Sequence, residues 1–425
     1  MNQTYRQSLP RAATVQAPPR SSSQAETLAA TANALTMGGI FVLLFYCISY
    51  TALGDALRLP LQGLYFLLFI AGVALAQLVR PNPLGLLQWG GLVLIFVSTI
   101  FFTMTKGDVV ELFRAFLGLA LLTFAFVLTP NLSKTFRVVG YSVIALTPVV
   151  AAIALLGEGT FKRVDRLSNV VGEVGSFHPS AYLVLGMLLC LIAARPFMRI
   201  NPLVLLGTGA ILLVLLLGYK VRTTALILGV FTGAYLYLTL TAQFRYRAIL
   251  HMIAAAILGL ALVGTYEYLN SDVDIYQIGA GRGGTYAHRF ELYMARDLLE
   301  QLIGTGPGSD YFRGSYTWQG AERDSHNDFL TLLLEQGMVG LMIVLSIFWA
   351  AAMRFSRSPA ALSLLIAVAA GSAVSNSALF RPAVAPFYVL AMVMLYYATL
   401  KRSAARRSAI ARASVSPAGP PRARQ

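Results

Sequence analysis

The residues with the clearest chemical potential surround His326, at the start of a long apolar run. Ser325 or Asn327 is suited to cap a helix, because a short polar side chain can accept the first free backbone N–H groups. His326 then stands at a helix N-terminus, at the outer mouth of a span. An imidazole with an unperturbed pKa of about 6.5 can accept a proton near neutral pH, while Asp324 or Asp328 orients its other nitrogen. The sequence therefore offers a general base; a surface histidine in a capping turn is the alternative.

A second set of candidates consists of cations outside the apolar runs. Lys220 and Arg222 lie in a short hairpin between two such runs, at the depth of lipid headgroups. Arg282 lies among glycines, Arg289 follows a histidine, and Arg166 lies in another polar stretch. Guanidinium groups bind phosphate oxygens with two parallel hydrogen bonds, and glycine-rich turns can add backbone N–H groups. These residues predict phosphate binding, whereas snorkelling to the membrane interface is the alternative for the hairpin pair.

A carboxylate follows within the same apolar run as His326. Glu335 lies about 13.5 Å further along the helix if that helix is straight, and therefore within a membrane. We expect a structural or site-lining role for Glu335 rather than catalysis. Gly337 and Gly340 are expected to allow close packing of a neighbouring helix.

The composition indicates which scaffold must position these residues. The chain has 425 residues, of which 57% are hydrophobic and 12% charged, whereas about 25% of a soluble protein is charged. This excludes an ordinary soluble enzyme. It predicts an all-α polytopic membrane protein with about twelve transmembrane helices, each needing roughly 20 apolar residues. The predicted spans lie near 33–53, 60–79, 84–102, 109–129, 136–156, 180–194, 202–218, 223–241, 247–265, 328–353, 360–379 and 383–400.

The charge distribution predicts the orientation of this scaffold. The net charge is +15. With both tails on one side, most of the excess cations fall in the tails and short loops of that side, as the positive-inside rule expects of the cytoplasm. We therefore predict disordered basic cytoplasmic tails at 1–30 and 401–425, beside membrane lipids and with no nucleic-acid partner, around a transmembrane domain at 31–400. The long loops 157–179 and 266–327 then face outward.

The outer loops and the cysteines add three expectations. Residues 291–303 place their apolar side chains on one face, which predicts a single amphipathic helix on the outer leaflet. No His-x-x-x-His spacing is present in the loops, and no metal or cofactor is predicted. Cys47 and Cys190 lie in apolar runs and are expected to be core residues rather than a disulfide.

Four short segments occur in a characteristic order along the chain. They are Arg222-Thr223-Thr224-Ala225-Leu226, Gly304-Thr305-Gly306-Pro307-Gly308, His326-Asn327-Asp328-Phe329-Leu330 and Glu335-Gln336-Gly337-Met338-Val339-Gly340-Leu341. In this order, and with twelve spans and a large outer loop before the tenth, they resemble the bacterial O-antigen ligase and O-unit polymerase superfamily. Val221 stands where that family usually has a serine. The resemblance covers about residues 160–355.

The resemblance implies a GT-C-like membrane glycosyltransferase. Such an enzyme takes a glycan from a polyprenyl-pyrophosphate carrier, such as undecaprenyl pyrophosphate, at the periplasmic face of the bacterial inner membrane, without a metal or cofactor. By the resemblance, His326 is the general base, and Arg222 with Arg282 or Arg289 holds the pyrophosphate.

The acceptor distinguishes the members of this family. We favour an O-antigen ligase-like reaction, in which a sugar of the lipid A-core accepts the glycan during lipopolysaccharide synthesis. The alternative is a polymerase that extends a lipid-linked oligosaccharide, as in O-unit or exopolysaccharide synthesis, and a protein acceptor is a third variant. From another class, the alternative is a glycolipid transporter or flippase. Transporters place ionisable or helix-breaking residues inside several spans, whereas here the ionisable residues gather at one interface.

Overall fold

The structure is a computed structural model. It describes residues 22–52, 58–79, 133–156, 177–219, 221–243, 252, 282–306, 317–318, 321–322, 327–374 and 384–415. The predicted spans near 84–102 and 109–129, and nearly all of the one near 247–265, lie outside these residues. The first long loop, 157–179, also lies outside them up to residue 176, and so does much of the second long loop, 266–327.

The described part of the chain is helical apart from one pair of two-residue strands. The strands β1 (Thr317–Trp318) and β2 (Ala321–Glu322) are antiparallel, with Thr317 opposite Glu322. The helices are α1 (Ser22–Ala52), α2 (Arg58–Val79), α3 (Ser133–Leu156), α4 (Phe177–Ala194), α5 (Pro202–Gly218), α6 (Arg222–Gln243), α7 (Arg282–Met294), α8 (Leu298–Ile303), α9 (Asp328–Phe355), α10 (Pro359–Val374) and α11 (Ala385–Val415).

The prediction of a helical membrane protein is confirmed. Among the described residues, four stretches are long and apolar enough to cross a membrane: Ser133–Ala152, Ser180–Phe197, Arg222–Thr241 and Asp328–Phe355. The apolar helices Gly63–Val79, Pro202–Gly218 and Pro359–Val374 are shorter. Each predicted span that falls on described residues coincides with a helix. The total of twelve spans stays a prediction.

Helix α5 illustrates how the sequence forms a lipid-facing element. Asn201 caps it, since its side chain accepts the Leu203 N–H at 2.9 Å, and Pro202 occupies the first helical position, where a missing N–H costs nothing. Four of its large apolar side chains are more than 60% exposed: Leu203, Leu206, Val214 and Leu217. Such an exposed apolar face suits contact with lipid. Helix α4, by contrast, is buried on nearly every side among α3, α5, α6 and α11.

Ring contacts define one end of the helical bundle. The Cys190 thiol donates to the Phe387 carbonyl oxygen at 3.3 Å, so α4 and α11 lie side by side. The rings of Phe197, in the short 3-10 helix Arg195–Phe197 that follows α4, and of Tyr397, further along α11, lie 5.1 and 5.8 Å from the ring of Phe136, near the start of α3. Helices α4 and α11 therefore run parallel, and the start of α3 lies beside Phe197 and Tyr397. We call this the Phe197 end.

The other helices alternate in direction between this end and the opposite one. Helix α9 finishes at the Phe197 end, where the Phe355 ring lies 5.6 Å from that of Tyr396. At the opposite end, called the Ser180 end, the Ser180 side chain hydrogen-bonds Tyr219, in the turn between α5 and α6. Helices α4 and α5 thus run antiparallel, as expected of consecutive spans.

Helix α9 is broken, so the straight helix on which the expected depth of Glu335 depended is not present. Gly337 has φ 66° and ψ −172°, outside the helical region. The rings of Phe329 and Phe348 lie 5.9 Å apart, whereas a straight helix would separate them by about 28 Å along its axis. The first arm, 328–336, therefore folds back at an acute angle against the second arm, 338–355.

The tails are more helical than the sequence predicted. Helix α1 begins at Ser22 and α11 continues to Val415, so the prediction of disorder is wrong for 22–30 and 401–415. The physical reason is composition. Both stretches are rich in alanine and other good helix formers, with no glycine or proline to end the helix. They can therefore extend the neighbouring apolar helices.

Candidate functional site

The residue after His326 caps the first arm of α9. The Asn327 side chain accepts the N–H groups of Phe329 and Leu330, at 3.0 and 3.1 Å. Of the two caps that the sequence allowed, the structure confirms Asn327. His326 and Asp324 lie outside the described residues.

The first arm is enclosed on two sides. Phe329 and Leu332 pack into the main apolar core, while Leu333 and Leu334 pack against Tyr293 of α7. Asp328, its first residue, is 1% exposed. A carboxylate is favoured at this position, because a helix N-terminus carries partial positive charge.

Arg289 lies at the contact between α7 and the first arm. It precedes Tyr293 by one helical turn, so the two side chains share the face of α7 that meets α9. Arg289 is 1% exposed and is the largest fully buried side chain in the described part of the chain. A guanidinium removed from water is costly unless anionic or hydrogen-bonding groups surround it. An anionic group bound beside Arg289 would help to meet this requirement.

The predicted amphipathic helix over 291–303 is two helices rather than one. Helix α7 ends at Met294, and α8 begins at Leu298. Asp297 causes the interruption. Its side chain accepts the Glu300 N–H at 2.8 Å and caps α8, and this local hydrogen bond competes with a continuous helix. We call residues 282–306 the bracket.

The bracket ends against the break in α9. Gly337 interrupts the helix, so carbonyl groups of the last turn of the first arm lose their ordinary N–H partners. The Gly306 N–H donates to the Glu335 carbonyl at 2.9 Å, and the Thr305 N–H donates to the Leu334 carbonyl at 3.4 Å. The Arg296 guanidinium donates to the same Leu334 carbonyl. Two backbone N–H groups and the Arg296 side chain thus replace the missing helical hydrogen bonds.

Two glycines make this backbone contact possible. A Cβ on Gly304 would lie 2.2 Å from the Glu335 carbonyl oxygen, and one on Gly337 would lie 2.4 Å from the carbonyl of Leu302. Close packing at Gly337 was expected, but its partner is the end of α8 rather than a spanning helix. At Gly340, the nearest atoms belong to Gln336 of the same helix. Glu335 lies beside the break, at the tip of the two arms, rather than well inside a straight span.

The remaining predicted cations are distributed over other elements. Arg222 is exposed at the start of α6. This helix packs chiefly against α10, whereas the bracket packs against α9. Arg282 is the first residue of α7. Lys220 and Arg166 lie outside the described residues. Among the predicted residues, the structure brings Arg289, Asn327, Asp328 and Glu335 into one unit of α7 and α9.

The turn before Arg222 is tightly packed. Tyr219 is 6% exposed, and burial raises the pKa of its hydroxyl above the ordinary value, an effect that the hydrogen bond with Ser180 opposes. The Thr224 hydroxyl donates to the Val221 carbonyl at 2.8 Å, inside the first turn of α6. The backbone that carries Arg222 is therefore well defined.

Sequence reasoning missed the residues that join the bracket to α9. In one continuous amphipathic helix over 291–303, Arg296 would lie on the polar face, and Thr305 belongs to the glycine-containing segment 304–308. The available signal was the pair of glycine-containing motifs, 304–308 and 335–337. Their mutual contact is visible only once both backbones are known.

A metal site is not evident in the described residues, where no three His, Cys, Asp or Glu side chains come together. The sequence does contain one Asp-x-Asp pair in the loop 266–327, Asp272 and Asp274. This pair lies outside the described residues, so the prediction that no metal is needed stays a prediction.

Comparison with known proteins adds no family assignment. The chain matches no protein-family model, and no curated protein is similar to it. The likeness to the O-antigen ligase superfamily therefore rests on the four segments of its sequence.

Proposed function

We propose that the protein is a membrane glycosyltransferase of the O-antigen ligase type. In this proposal, it transfers a glycan from a polyprenyl-pyrophosphate carrier to a hydroxyl group of the lipid A-core. One observation supports it most: a fully buried guanidinium, Arg289, lies on the helix that packs against the arm capped by Asn327. A diphosphate donor and a base are the two groups that such a reaction must hold side by side.

In the proposed reaction, side chains of the protein supply all of the catalytic groups. His326 takes the proton from the acceptor hydroxyl, whose oxygen attacks the anomeric carbon of the donor. The bond from that carbon to the pyrophosphate oxygen breaks, and its electron pair leaves with the lipid pyrophosphate. Arg289 stabilises the negative charge that develops there, an effect that is strong where water is excluded. Asp324 or Asp328 holds the imidazole in the orientation that accepts the proton.

The other cations complete the proposed donor site. Arg222 lies at the Ser180 end, where a lipid headgroup can approach, and Lys220 is close to it in the sequence. Arg282 and Arg166 belong to the two long outer loops. In this proposal, they attract the diphosphate electrostatically, and Arg289 binds it at the reacting centre. Glu335 supports the tip of the arms and takes no part in proton transfer.

The proposed setting is the bacterial inner membrane. The excess of Lys and Arg in the tails and short loops supports a cytoplasmic location for both tails. The Phe197 end then faces the cytoplasm and the Ser180 end the periplasm. The exposed apolar face of α5 supports insertion in a bilayer.

The proposal is tested with the purified full-length chain in lipid nanodiscs. A polyprenyl-pyrophosphate glycan is offered with lipid A-core, with a second lipid-linked oligosaccharide, or with neither. Transfer to lipid A-core supports a ligase, whereas chain extension in the second mixture identifies a polymerase. No transfer with either acceptor contradicts the proposed function.

A transporter of anionic glycolipids is the second candidate, and the break in α9 favours it. Transporters commonly place a discontinuous helix beside their substrate, and Gly337 provides one here. The two candidates differ in whether the pyrophosphate bond of the donor is cleaved. A transporter moves the lipid-linked glycan across proteoliposomes with its pyrophosphate bond intact, whereas the transferase cleaves that bond even in detergent, where there are no compartments.

A further inference from the structure

The first arm of α9 is too short to keep its own shape. Its span, 328–336, amounts to about 13 Å of helix, and isolated helices of fewer than about 12 residues are marginal. Asn327 caps its beginning. The end of the arm depends on groups outside the helix, because Gly337 removes the next turn.

Four donors from the bracket bind the end of the arm. The amides of Thr305 and Gly306 donate to the carbonyls of Leu334 and Glu335, and the Thr305 hydroxyl and the Arg296 guanidinium also donate to the Leu334 carbonyl. Of these donors, Arg296 alone is a side chain that carries charge. A cation is favoured at this position, because the C-terminus of a helix carries partial negative charge.

Arg296 is itself held at the corner between α7 and α8. Its backbone N–H donates to the Tyr293 carbonyl at 3.2 Å, and its carbonyl accepts the Gln301 side-chain amide at 2.9 Å. The Tyr293 hydroxyl donates to the Gln301 carbonyl at 3.0 Å. Tyr293 also packs against Leu333 and Leu334 of the arm. The corner and the arm are therefore connected by both polar and apolar contacts.

We infer that Arg296 is a positioning residue that locks the first arm of α9 to the bracket. The lock fixes the distance between α7, which carries Arg289, and the capped end of the arm, which follows His326. Arg296 acts through the Leu334 carbonyl and does not touch the substrate. This inference rests on the proposed function for its catalytic consequence, whereas the lock itself can be measured without any substrate.

The test uses the full-length chain in nanodiscs and two measurements on Arg296→Ala. Amide hydrogen exchange should become faster in the peptides covering 301–306 and 328–336, because the hydrogen bond that joins Arg296 to the Leu334 carbonyl is lost. With the donor and lipid A-core acceptor described above, kcat should fall by roughly 10- to 100-fold, since a misplacement of about 1 Å can cost 100-fold in rate. The donor KM should stay within about threefold of the wild-type value, because Arg296 is not a ligand.

Two variants make the result specific. Arg296→Lys keeps a charged donor near the Leu334 carbonyl and should restore much of both readouts. Arg357→Ala removes an exposed arginine at the Phe197 end and should change neither.

Three outcomes would overturn the inference. Unchanged exchange in Arg296→Ala would show that there is no lock. A raised donor KM with unchanged exchange would make Arg296 a direct ligand, and faster exchange with an unchanged kcat would remove its catalytic consequence. If the wild-type chain transfers no glycan at all, the proposed function fails, and the exchange measurement alone decides whether the lock exists.

Discussion

The rings of Phe329 and Phe348 lie 5.9 Å apart within a single apolar stretch of the sequence. Their contact closes the two arms of α9 on each other, with Gly337 at the tip. Because Phe329 follows the Asn327 cap, the same contact holds the beginning of the first arm against the spanning second arm. The candidate base, His326, thus adjoins a short helix whose two ends are both fixed by other parts of the chain.

The first prediction concerns the tip. Gly337→Ala should destabilise the protein, because alanine at φ 66° is strained by about 1–3 kcal/mol and its Cβ would meet the carbonyl of Leu302. Thermal unfolding of the purified protein should show a lower Tm. Gly209→Ala in α5 is the control: its Cβ meets nothing within 4 Å and alanine favours the helix. An unchanged Tm for Gly337→Ala would contradict the described break.

The second prediction concerns the cap. Asn327→Ala should cost about 1 kcal/mol of stability, because the N–H groups of Phe329 and Leu330 lose their acceptor. Asn327→Asp keeps an acceptor and should retain most of the stability. Chemical unfolding of both variants checks this. Equal loss in the two variants would mean that a feature of the amide other than its oxygen matters.

The helical segments could be predicted well from the sequence. Hydrophobic runs of membrane-spanning length mark α3, α4 and α6 because a membrane protein must bury every backbone polar group in its own helices. The Asn327 cap could also be predicted, since asparagine is among the strongest capping residues. These features depend on residues that are close together in the sequence, so they can be predicted from the sequence.

The break in α9 could not be predicted in the same way. Apolar residues resume directly after Glu335, Gln336 and Gly337, and glycine within a span is just as typical of helix packing. What decides the conformation is the distant segment 304–306, whose amides satisfy the freed carbonyls. Such a contact depends on tertiary structure. The division of 291–303 by the Asp297 cap was missed because that residue also fits the polar face of one continuous helix.

The third prediction concerns the packing of α4 on α11. A Cβ on Gly186 would lie 2.7 Å from the Phe387 Cβ, so Gly186→Ala should force the two helices apart. Overpacking of this kind typically costs about 1–3 kcal/mol. The Tm of Gly186→Ala should fall, whereas Gly233→Ala, whose Cβ would meet nothing within 4 Å, should leave it unchanged. A Tm equal to the wild-type value would argue against this helix contact.

The fourth prediction concerns the buried arginine. Arg289→Lys keeps the charge but loses the planar pair of donors that matches a diphosphate. If Arg289 binds the donor, the kcat/KM for transfer should fall by roughly tenfold or more, since hydrogen bonds to charged groups contribute about 1.5–3 kcal/mol. The matched change Arg357→Lys, at an exposed position, should have no effect. Equal activity of both variants would exclude Arg289 from the donor site.

The central claim is tested most directly by single-turnover transfer with His326→Ala, using purified protein, a polyprenyl-pyrophosphate glycan and lipid A-core. General-base catalysis typically contributes about 100- to 10,000-fold. We therefore predict that the rate of transfer falls by at least about 100-fold, while the Tm and the affinity for the donor are preserved. Transfer at the wild-type rate by the folded variant would contradict the assignment of His326 as the general base.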